Sequence, residues 1–141
     1  MITIRQILAH KGDHIIGISQ QASLTEAAET MSVHGVGALV VRDGEQIVGM
    51  LSERDLVLSL AKLSQGVAAA TVSVAMQPSV DLDVDDDVMA GLREMTDRRR
   101  RHLLVRHLGQ VVGVVSIGDL VKALHEEQVG TISSLHQYIT G

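Results

Sequence analysis

The sequence predicts a mixed α/β (α+β) fold in which one β-α-β-β-α unit occurs twice, and three observations support this prediction. A seven-residue motif, Gly-x-x-Ser-x-x-Asp, runs from Gly49 to Asp55 and again from Gly113 to Asp119. Each copy begins inside a short run of β-branched residues, which is typical of a strand, and its Ser and Asp have the spacing of a helix start. A hydrophobic content of 45% is enough for a core in a chain of 141 residues.

The repeat extends beyond the motif. The second copy follows the first by 64 positions, and an ungapped alignment of 16–60 with 80–124 gives twelve identities. A repeat fixes the unit of the fold, and here each unit takes about half of the chain. We therefore expect three segments: a first motif with its N-terminal helix at 1–66, a second motif at 67–128 and a C-terminal helical tail at 129–141.

In the first unit, the elements follow from periodicity and from turn residues. Residues 2–9 have the apolar spacing of a short helix, a capping box at Ser23 starts a second helix, and Asp43-Gly44 is typical of a hairpin turn. The expected elements are a helix at 2–9, a strand at 14–19, a helix at 24–33, strands at 38–41 and 46–51, and a helix at 53–63.

The second unit repeats this order after a weakly patterned link at 64–71. Pro78 favours an extended entry to its first strand. The acidic run 83–87 is typical of a helix N-terminus, where carboxylates complement the helix dipole. The expected elements are a short helix at 72–76, a strand at 80–82, a helix at 88–97, strands at 102–105 and 110–115, and a helix from Ile117.

The tail carries an amphipathic stripe made of Val129, Ile132, Leu135 and Ile139. Such a stripe either closes the core of its own domain or forms a dimer contact, and the sequence leaves both alternatives open. We expect it to be buried against the N-terminal helix or against a partner subunit.

Composition argues against several classes of function. A net charge of −5 disfavours binding to nucleic acid or to an anionic membrane, and one aromatic residue gives no platform for base stacking. The absence of Cys excludes thiolate chemistry, and the scattered histidines lack the spacing of metal ligands. Without a stretch long enough to span a membrane, we expect a soluble cytoplasmic protein.

The motif itself has two interpretations. Its Ser and Asp form a capping box, which in a single copy would indicate only a helix start. A helix N-terminus also binds anions, and a carboxylate beside it can hold a sugar diol. Two copies in register favour a ligand site in each unit.

One basic cluster, 98–102, contains four arginines and His102 and stands where a helix gives way to a strand. It is either a solvated helix end, where cations are favourable, or a phosphate clamp. The aligned stretch in the first unit carries no Arg. Divergence in charge at one point suggests that one of the two sites takes most of the phosphate.

The two units resemble a tandem pair of CBS domains, the cystathionine-β-synthase motif, also called a Bateman module. The resemblance rests on the doubled motif and on the stretches 37–41 and 101–105 before it, and it covers residues 2 to about 128. The tail is similar to that of small bacterial proteins that are a CBS pair alone. Two departures from the family pattern are Leu104, where Pro is frequent, and 107–109, which replaces an Asp-containing turn.

The resemblance implies two repeats related by pseudo-twofold symmetry, which bind adenosine compounds such as AMP, ATP or NAD(H) in clefts between them and dimerise into a flat disk. It implies a regulatory sensor that has neither catalysis nor a catalytic cofactor or metal, and that acts through a homodimer on an unidentified partner protein. Helices near 24–33, 53–63, 88–97 and 117–128 would supply the dimer interface. The alternative is an interaction disk whose nucleotide sites are vestigial.

The resemblance also assigns roles within each motif. Asp55 and Asp119 would each hold a ribose diol. Ser52 and Ser116 would cap the helix and face phosphate, and Arg54 would add charge at the first site.

At the second site, Arg101 and His102 match a position that often contacts phosphate. Ile117 and Gly118 lie between the motif Ser and Asp, and Gly118 has no side chain to obstruct the approach of a ligand to the backbone. Main chain and aliphatic side chains would sandwich the adenine: Ala38, Leu39, His102 and Leu103, with Ile16 and Val80. We expect the nucleotide at the Asp119 site, because that repeat carries the extra basic residues.

Overall fold

The structure, a computed structural model, describes the backbone of residues 1–12 and 14–140 and the side chains of this range up to Gly130. Its elements in chain order are α1 (Ile4–Lys11), β1 (Gly17–Ser19), α2 (Leu24–His34), β2 (Ala38–Asp43), β3 (Gln46–Ser52), α3 (Glu53–Leu63), a 3₁₀ turn (Val67–Ala69), α4 (Val72–Ala75), β4 (Asp81–Asp83), α5 (Val88–Arg98), β5 (His102–His107), β6 (Gln110–Ser116) and α6 (Ile117–Thr140). The order β-α-β-β-α occurs twice, which confirms the predicted fold class.

Each repeat carries a three-stranded sheet. In the first, β1 pairs with β2 in parallel and β2 pairs with β3 as an antiparallel hairpin; β4, β5 and β6 repeat this arrangement. Both hairpins shift register at equivalent points, after Val41 and after Val105. The two repeats therefore share an irregularity as well as a topology.

The chain forms two compact units, which we call the first unit (Ile15–Ser79) and the second unit (Met1–His14 with Val80–Gly141). The helix before each repeat packs with the other repeat: α4 belongs to the first unit and α1 to the second. Ile4, Ile7 and Leu8 of α1 are buried with the residues of the second repeat. These contacts place α1 in the second unit. The division at residue 66 expected from the sequence places it with the first motif.

Each unit has its own aliphatic core. The core of the first unit contains Leu24, Ala27, Met31, Leu39, Val41, Leu51, Val72 and Ala75. The core of the second unit contains Ile4, Ile7, Leu8, Leu82, Val84, Val88, Met95, Leu103, Val105, Val115, Leu120 and Ala123. Buried methylene groups supply most of the stabilisation of such cores, at roughly 0.8 kcal/mol each.

Equivalent helices end in the same backbone conformation with different residues. Gly35 ends α2 in the left-handed region with φ 64°, and Arg99 ends α5 there with φ 54°. Glycine adopts this conformation without the steric penalty that a Cβ brings. The second repeat therefore keeps an arginine at a position that favours glycine.

The strands differ from the sequence prediction mainly at their ends. β1 begins at Gly17 rather than at 14, and β2 and β5 each continue two residues further, to Asp43 and His107. Helix α6 runs without a break from Ile117 to Thr140 and so includes the predicted tail up to that residue. Val129 is 47% exposed, and the other stripe residues, Ile132, Leu135 and Ile139, lie outside the described side chains.

Within the described part of the chain, no helix combines the length and the hydropathy that crossing a bilayer requires.

Candidate functional site

In the first unit, the strand register brings the predicted site residues to one end of the sheet. Ala38 at the start of β2 lies opposite Ser52 at the end of β3. Ile16, just before β1, accepts a 3.0 Å hydrogen bond at its carbonyl from the N–H of Val40. The start of β1, the start of β2 and the N-terminus of α3 therefore meet.

The second unit repeats this arrangement. His102 at the start of β5 lies opposite Ser116 at the end of β6. The carbonyl of Val80, just before β4, accepts a 2.9 Å hydrogen bond from the N–H of Leu104. Each predicted residue thus has a structural counterpart in the other unit.

The remaining predicted residues differ in what they offer to a ligand. Leu39 and Leu103 are fully buried in their cores, so only their main chain is available. Arg54, Arg101 and Ile117 are exposed at the ends of the sheets.

At the N-terminus of α3, Ser52 and Asp55 form a complete capping box. Oδ2 of Asp55 accepts from the N–H of Ser52 at 2.8 Å and from its hydroxyl at 3.0 Å, and Oγ of Ser52 accepts from the N–H of Asp55 at 3.2 Å. The carbonyl of Gly37 accepts from the N–H of Glu53. Within the described residues, Oδ1 of Asp55 accepts no hydrogen bond.

At the N-terminus of α6, Ser116 and Asp119 form the same pair of bonds. The N–H of Ser116 donates to Oδ2 of Asp119 at 2.8 Å, and the N–H of Asp119 donates to Oγ of Ser116 at 3.2 Å. The carbonyl of Arg101 accepts from the N–H of Ile117 at 2.8 Å. Two of the first three helix amides are therefore already bonded, and the amide of Gly118 lies between them.

The glycines in and near the motif differ in whether packing requires them. A Cβ on Gly49 would lie 2.6 Å from the carbonyl oxygen of Gln77, and one on Gly113 would lie 2.7 Å from Cδ2 of Leu8. Both glycines therefore allow close packing of the neighbouring segment. A Cβ on Gly118 would meet only Oγ of Ser116 at 3.6 Å, an ordinary contact. Packing within the protein does not require glycine at 118.

One residue of this site was missed by the sequence analysis. Nζ of Lys11, at the end of α1, lies 2.6 Å from Oδ2 of Asp119 and 2.9 Å from the carbonyl oxygen of Val114. The apolar spacing predicts a helix that ends at residue 9, whereas α1 continues to Lys11. A signal was available: the aligned position in the first unit is Ala75.

Lys11 changes the electrostatics of Asp119. Burial raises the pKa of this carboxyl group, but the hydrogen bond and charge of Lys11, together with the hydrogen bonds from Ser116, outweigh burial. The pKa of Asp119 therefore lies below its ordinary value of 3.8. The carboxylate is ionised at neutral pH and is paired with an ammonium group.

In the first unit, the backbone of Gln77 takes the place that this lysine has beside the strand. The position equivalent to Val114 is Met50, whose carbonyl accepts from the N–H of Gln77 at 2.9 Å while its own N–H donates to the Gln77 carbonyl at 2.9 Å. Among the described side chains, no cation forms an ion pair with Asp55. The two carboxylates thus have the same helix contacts and different neighbours.

The basic cluster lies next to the second site. Arg98 is 3.6 Å from Glu94 of the same helix, and the carbonyl of Arg101 contacts the first amide of α6. Among the described residues, no group of three or more His, Asp or Glu side chains is arranged to hold a metal ion.

Comparisons with known proteins agree with this fold. The family model described as CBS domain matches residues 4–62 and 72–126. The mitochondrial CBS domain-containing protein CBSX3 of Arabidopsis thaliana is 29% identical over 149 residues, which cover 99% of this chain and 72% of that protein. The crystal structure of the CBS-domain containing protein ATU1752 from Agrobacterium tumefaciens has a TM-score of 0.83 and 34% identity, and covers 86% of this chain and 98% of that one.

A third structure, CBSX2 in complex with AMP, has a TM-score of 0.70 at 21% identity and covers 91% of this chain and 99% of that one. At this identity the likeness concerns the fold.

Proposed function

The chain belongs to the CBS-domain family as a tandem pair, and from this premise we propose that it is a regulatory module that binds an adenine nucleotide without catalysing a reaction. Each motif would contribute one site. The runner-up is an interaction module whose two sites no longer bind a ligand.

The observation that carries the proposal is the state of the two motif carboxylates. In each, Oδ2 accepts the bonds of the capping box, whereas Oδ1 accepts none within the described residues. A ribose offers two adjacent hydroxyl donors, and a fixed carboxylate with a free oxygen suits them. Hydrogen bonds to a charged acceptor are worth about 1.5–3 kcal/mol each.

The surroundings of the carboxylates support an adenosine compound. Partly buried Ile16 and Val80 offer aliphatic surface beside the starts of β2 and β5. The amide of Gly118 belongs to the first turn of α6, where helix amides suit a phosphate oxygen. CBSX2, a protein of the same fold, forms a complex with AMP, which supports an adenosine compound as the ligand. AMP, ATP and NAD(H) all belong to this class.

We also propose a homodimer. Large apolar side chains are exposed on four helices, which include Val33 on α2, Val57 and Leu60 on α3, Met89 on α5 and Val121 on α6. A monomer rarely exposes so much aliphatic helix surface, and a second copy would cover it. Sedimentation at micromolar concentration would show a monomer if this is wrong.

Calorimetry tests the nucleotide proposal. AMP is titrated into the parent protein, into Asp55→Ala, into Asp119→Ala and into the double variant. We expect each single variant to lose one site and the double variant to lose both, with at least tenfold weaker binding, which corresponds to about 1.4 kcal/mol. Asp85→Ala is the matched control, because Asp85 is an exposed aspartate outside the motif.

If the double variant binds AMP as the parent does, the motif is only a helix cap. If the parent binds no member of a series of AMP, ADP, ATP, NAD, NADH and S-adenosylmethionine in a thermal-shift screen, the interaction module is the better description.

A further inference from the structure

We propose that Lys11 competes with the ligand for Asp119, so that the site in the second unit binds more weakly than the site at Asp55 until Lys11 is displaced. This inference rests on the proposed function, since it concerns the same carboxylates. It reverses the expectation that the basic residues of the second repeat make the Asp119 site the stronger nucleotide site.

Lys11 already occupies one oxygen of the Asp119 carboxylate. Oδ2 of Asp119 accepts two hydrogen bonds, from the N–H of Ser116 and from Nζ of Lys11, the shortest being 2.6 Å to Lys11. Among the described residues, Oδ1 is the free oxygen in both motifs, so the two carboxylates differ at Oδ2, which the second hydroxyl of a diol that binds both oxygens must share. At Asp55 the second bond to Oδ2 comes from the Ser52 hydroxyl. A hydroxyl turns about its C–O bond to suit a new partner, whereas an ammonium group must leave and break an ion pair.

Lys11 also reduces the negative charge that a ligand meets at Asp119. A ribose hydroxyl gains most from an acceptor that is ionised and otherwise unpaired, because charge-assisted hydrogen bonds are about twice as strong as neutral ones. Lys11 offsets the negative charge of Asp119, while no described side chain does so for Asp55. The same diol therefore meets a stronger acceptor in the first unit.

Lys11 is also held in place by its helix. Ile7 and Leu8 fix α1 in the core of the second unit, and the N–H of Gly12 donates to the carbonyl of Leu8 at 2.8 Å, which closes the helix just after Lys11. Nζ also donates to the carbonyl of Val114. Lys11 is thus positioned by a packed helix and two acceptors.

The contact can nevertheless open. The side chain of Lys11 is 36% exposed and that of Asp119 is 24% exposed. Water can therefore take over the bonds of the ammonium group when a ligand arrives, because ion pairs of this exposure are weak. Lys11 would lower the affinity of this site for the ligand without excluding the ligand.

Single-site variants give the decisive experiment. AMP is titrated calorimetrically into Asp55→Ala, which keeps the Asp119 site, with and without Lys11→Met. We expect Lys11→Met to tighten AMP binding in this background about fivefold, the equivalent of about 1 kcal/mol. In the Asp119→Ala background, which keeps the other site, Lys11→Met should leave the affinity unchanged.

The matched control is Arg5→Met, which removes a cation from the same helix that pairs with Asp85 rather than with the motif. It should leave both affinities unchanged. If Lys11→Met lowers stability too far, Lys11→Gln serves instead, since its amide still donates to the Val114 carbonyl but carries no charge.

The outcomes separate the two proposals. Unchanged or weaker AMP binding in the Lys11→Met, Asp55→Ala protein overturns competition, and weaker binding would make Lys11 a contact of the phosphate. If no variant binds AMP, with or without Lys11, the proposed function fails and the inference fails with it. If AMP binds all variants equally well, the carboxylates are not its site.

Discussion

The N-termini of α3 and α6 are built from the same Ser and Asp, yet they differ in what reaches them from the preceding short helix. In the second unit that helix has eight residues and ends in Lys11, which contacts Asp119. In the first unit it has four residues, ends in Ala75, and leaves the strand edge to the backbone of Gln77. The comparison shows that a repeated motif preserves the local bonds of its carboxylate, while the charge around it depends on a segment outside the repeat.

The largest expected effect concerns the motif glycines. Gly49→Ala should destabilise the protein by about 3 kcal/mol and Gly113→Ala by about 1 kcal/mol, within the range for overpacked cores. A new methyl group at 49 would meet a backbone carbonyl, whereas one at 113 would meet the end of the Leu8 side chain, which can move. Urea unfolding followed by circular dichroism measures both. Equal losses would show that α1 and the Gln77 segment are equally rigid.

The next effect is the coupling between Lys11 and Asp119. A double-mutant cycle with Lys11→Met and Asp119→Asn should give a coupling of about 1 kcal/mol, the upper end for exposed ion pairs. The reference is the pair Arg5 and Asp85, whose side chains are 52% and 71% exposed and should couple by only about 0.3 kcal/mol. Equal coupling in the two cycles would argue against a special role for Lys11.

A smaller effect is expected where α2 and α5 end. Arg99→Gly should stabilise the protein by about 0.5–1 kcal/mol, because glycine adopts the left-handed conformation without strain. Gly35→Arg should destabilise it by a similar amount in the first unit, where the added side chain meets open space and only the backbone is strained. A lower melting temperature for Arg99→Gly would show that contacts of the Arg99 side chain, and not backbone strain, decide this position.

The smallest effect is a difference in acid stability. The pKa of Asp119 is lowered in the folded state, so its ionisation contributes stability that is present above 3.8 and is lost as the pH falls through the folded pKa. The difference in unfolding free energy between the parent and Lys11→Met should therefore narrow as the pH falls below 3.8. Urea unfolding at a series of acidic pH values checks this, and a constant difference would mean that Lys11 acts through packing.

Much of the fold was predictable because its signals are local. Ser23, Ser52 and Ser116 cap helices where the sequence places them, and the hairpin turn at Gly44 lies where Asp-Gly predicts it. These features depend on residues a few positions apart, and the repeat supplied the serine cap of the motif twice.

The partner of α1 was not predictable in the same way. Periodicity shows that Ile4, Ile7 and Leu8 form an apolar face, but it does not show which surface that face covers. The contact between Lys11 and Asp119 joins residues 108 positions apart, and neither residue type at its own position indicates the other. The divergence between Lys11 and Ala75 becomes informative only when α1 and α4 are known to occupy equivalent places.

The assignment of α1 to the second unit has a consequence for biosynthesis. Residues 15–79 contain every element of the first unit in one uninterrupted stretch, so this unit can form as soon as that stretch leaves the ribosome. Helix α1 is synthesised earlier but gains its core only when residues 80–124 follow. Until then its apolar face has no native partner, and closing so long a loop is slow compared with forming neighbouring contacts. In a nascent chain arrested just after residue 79 has left the exit tunnel of the ribosome, the first unit should therefore resist protease while α1 remains open to cleavage.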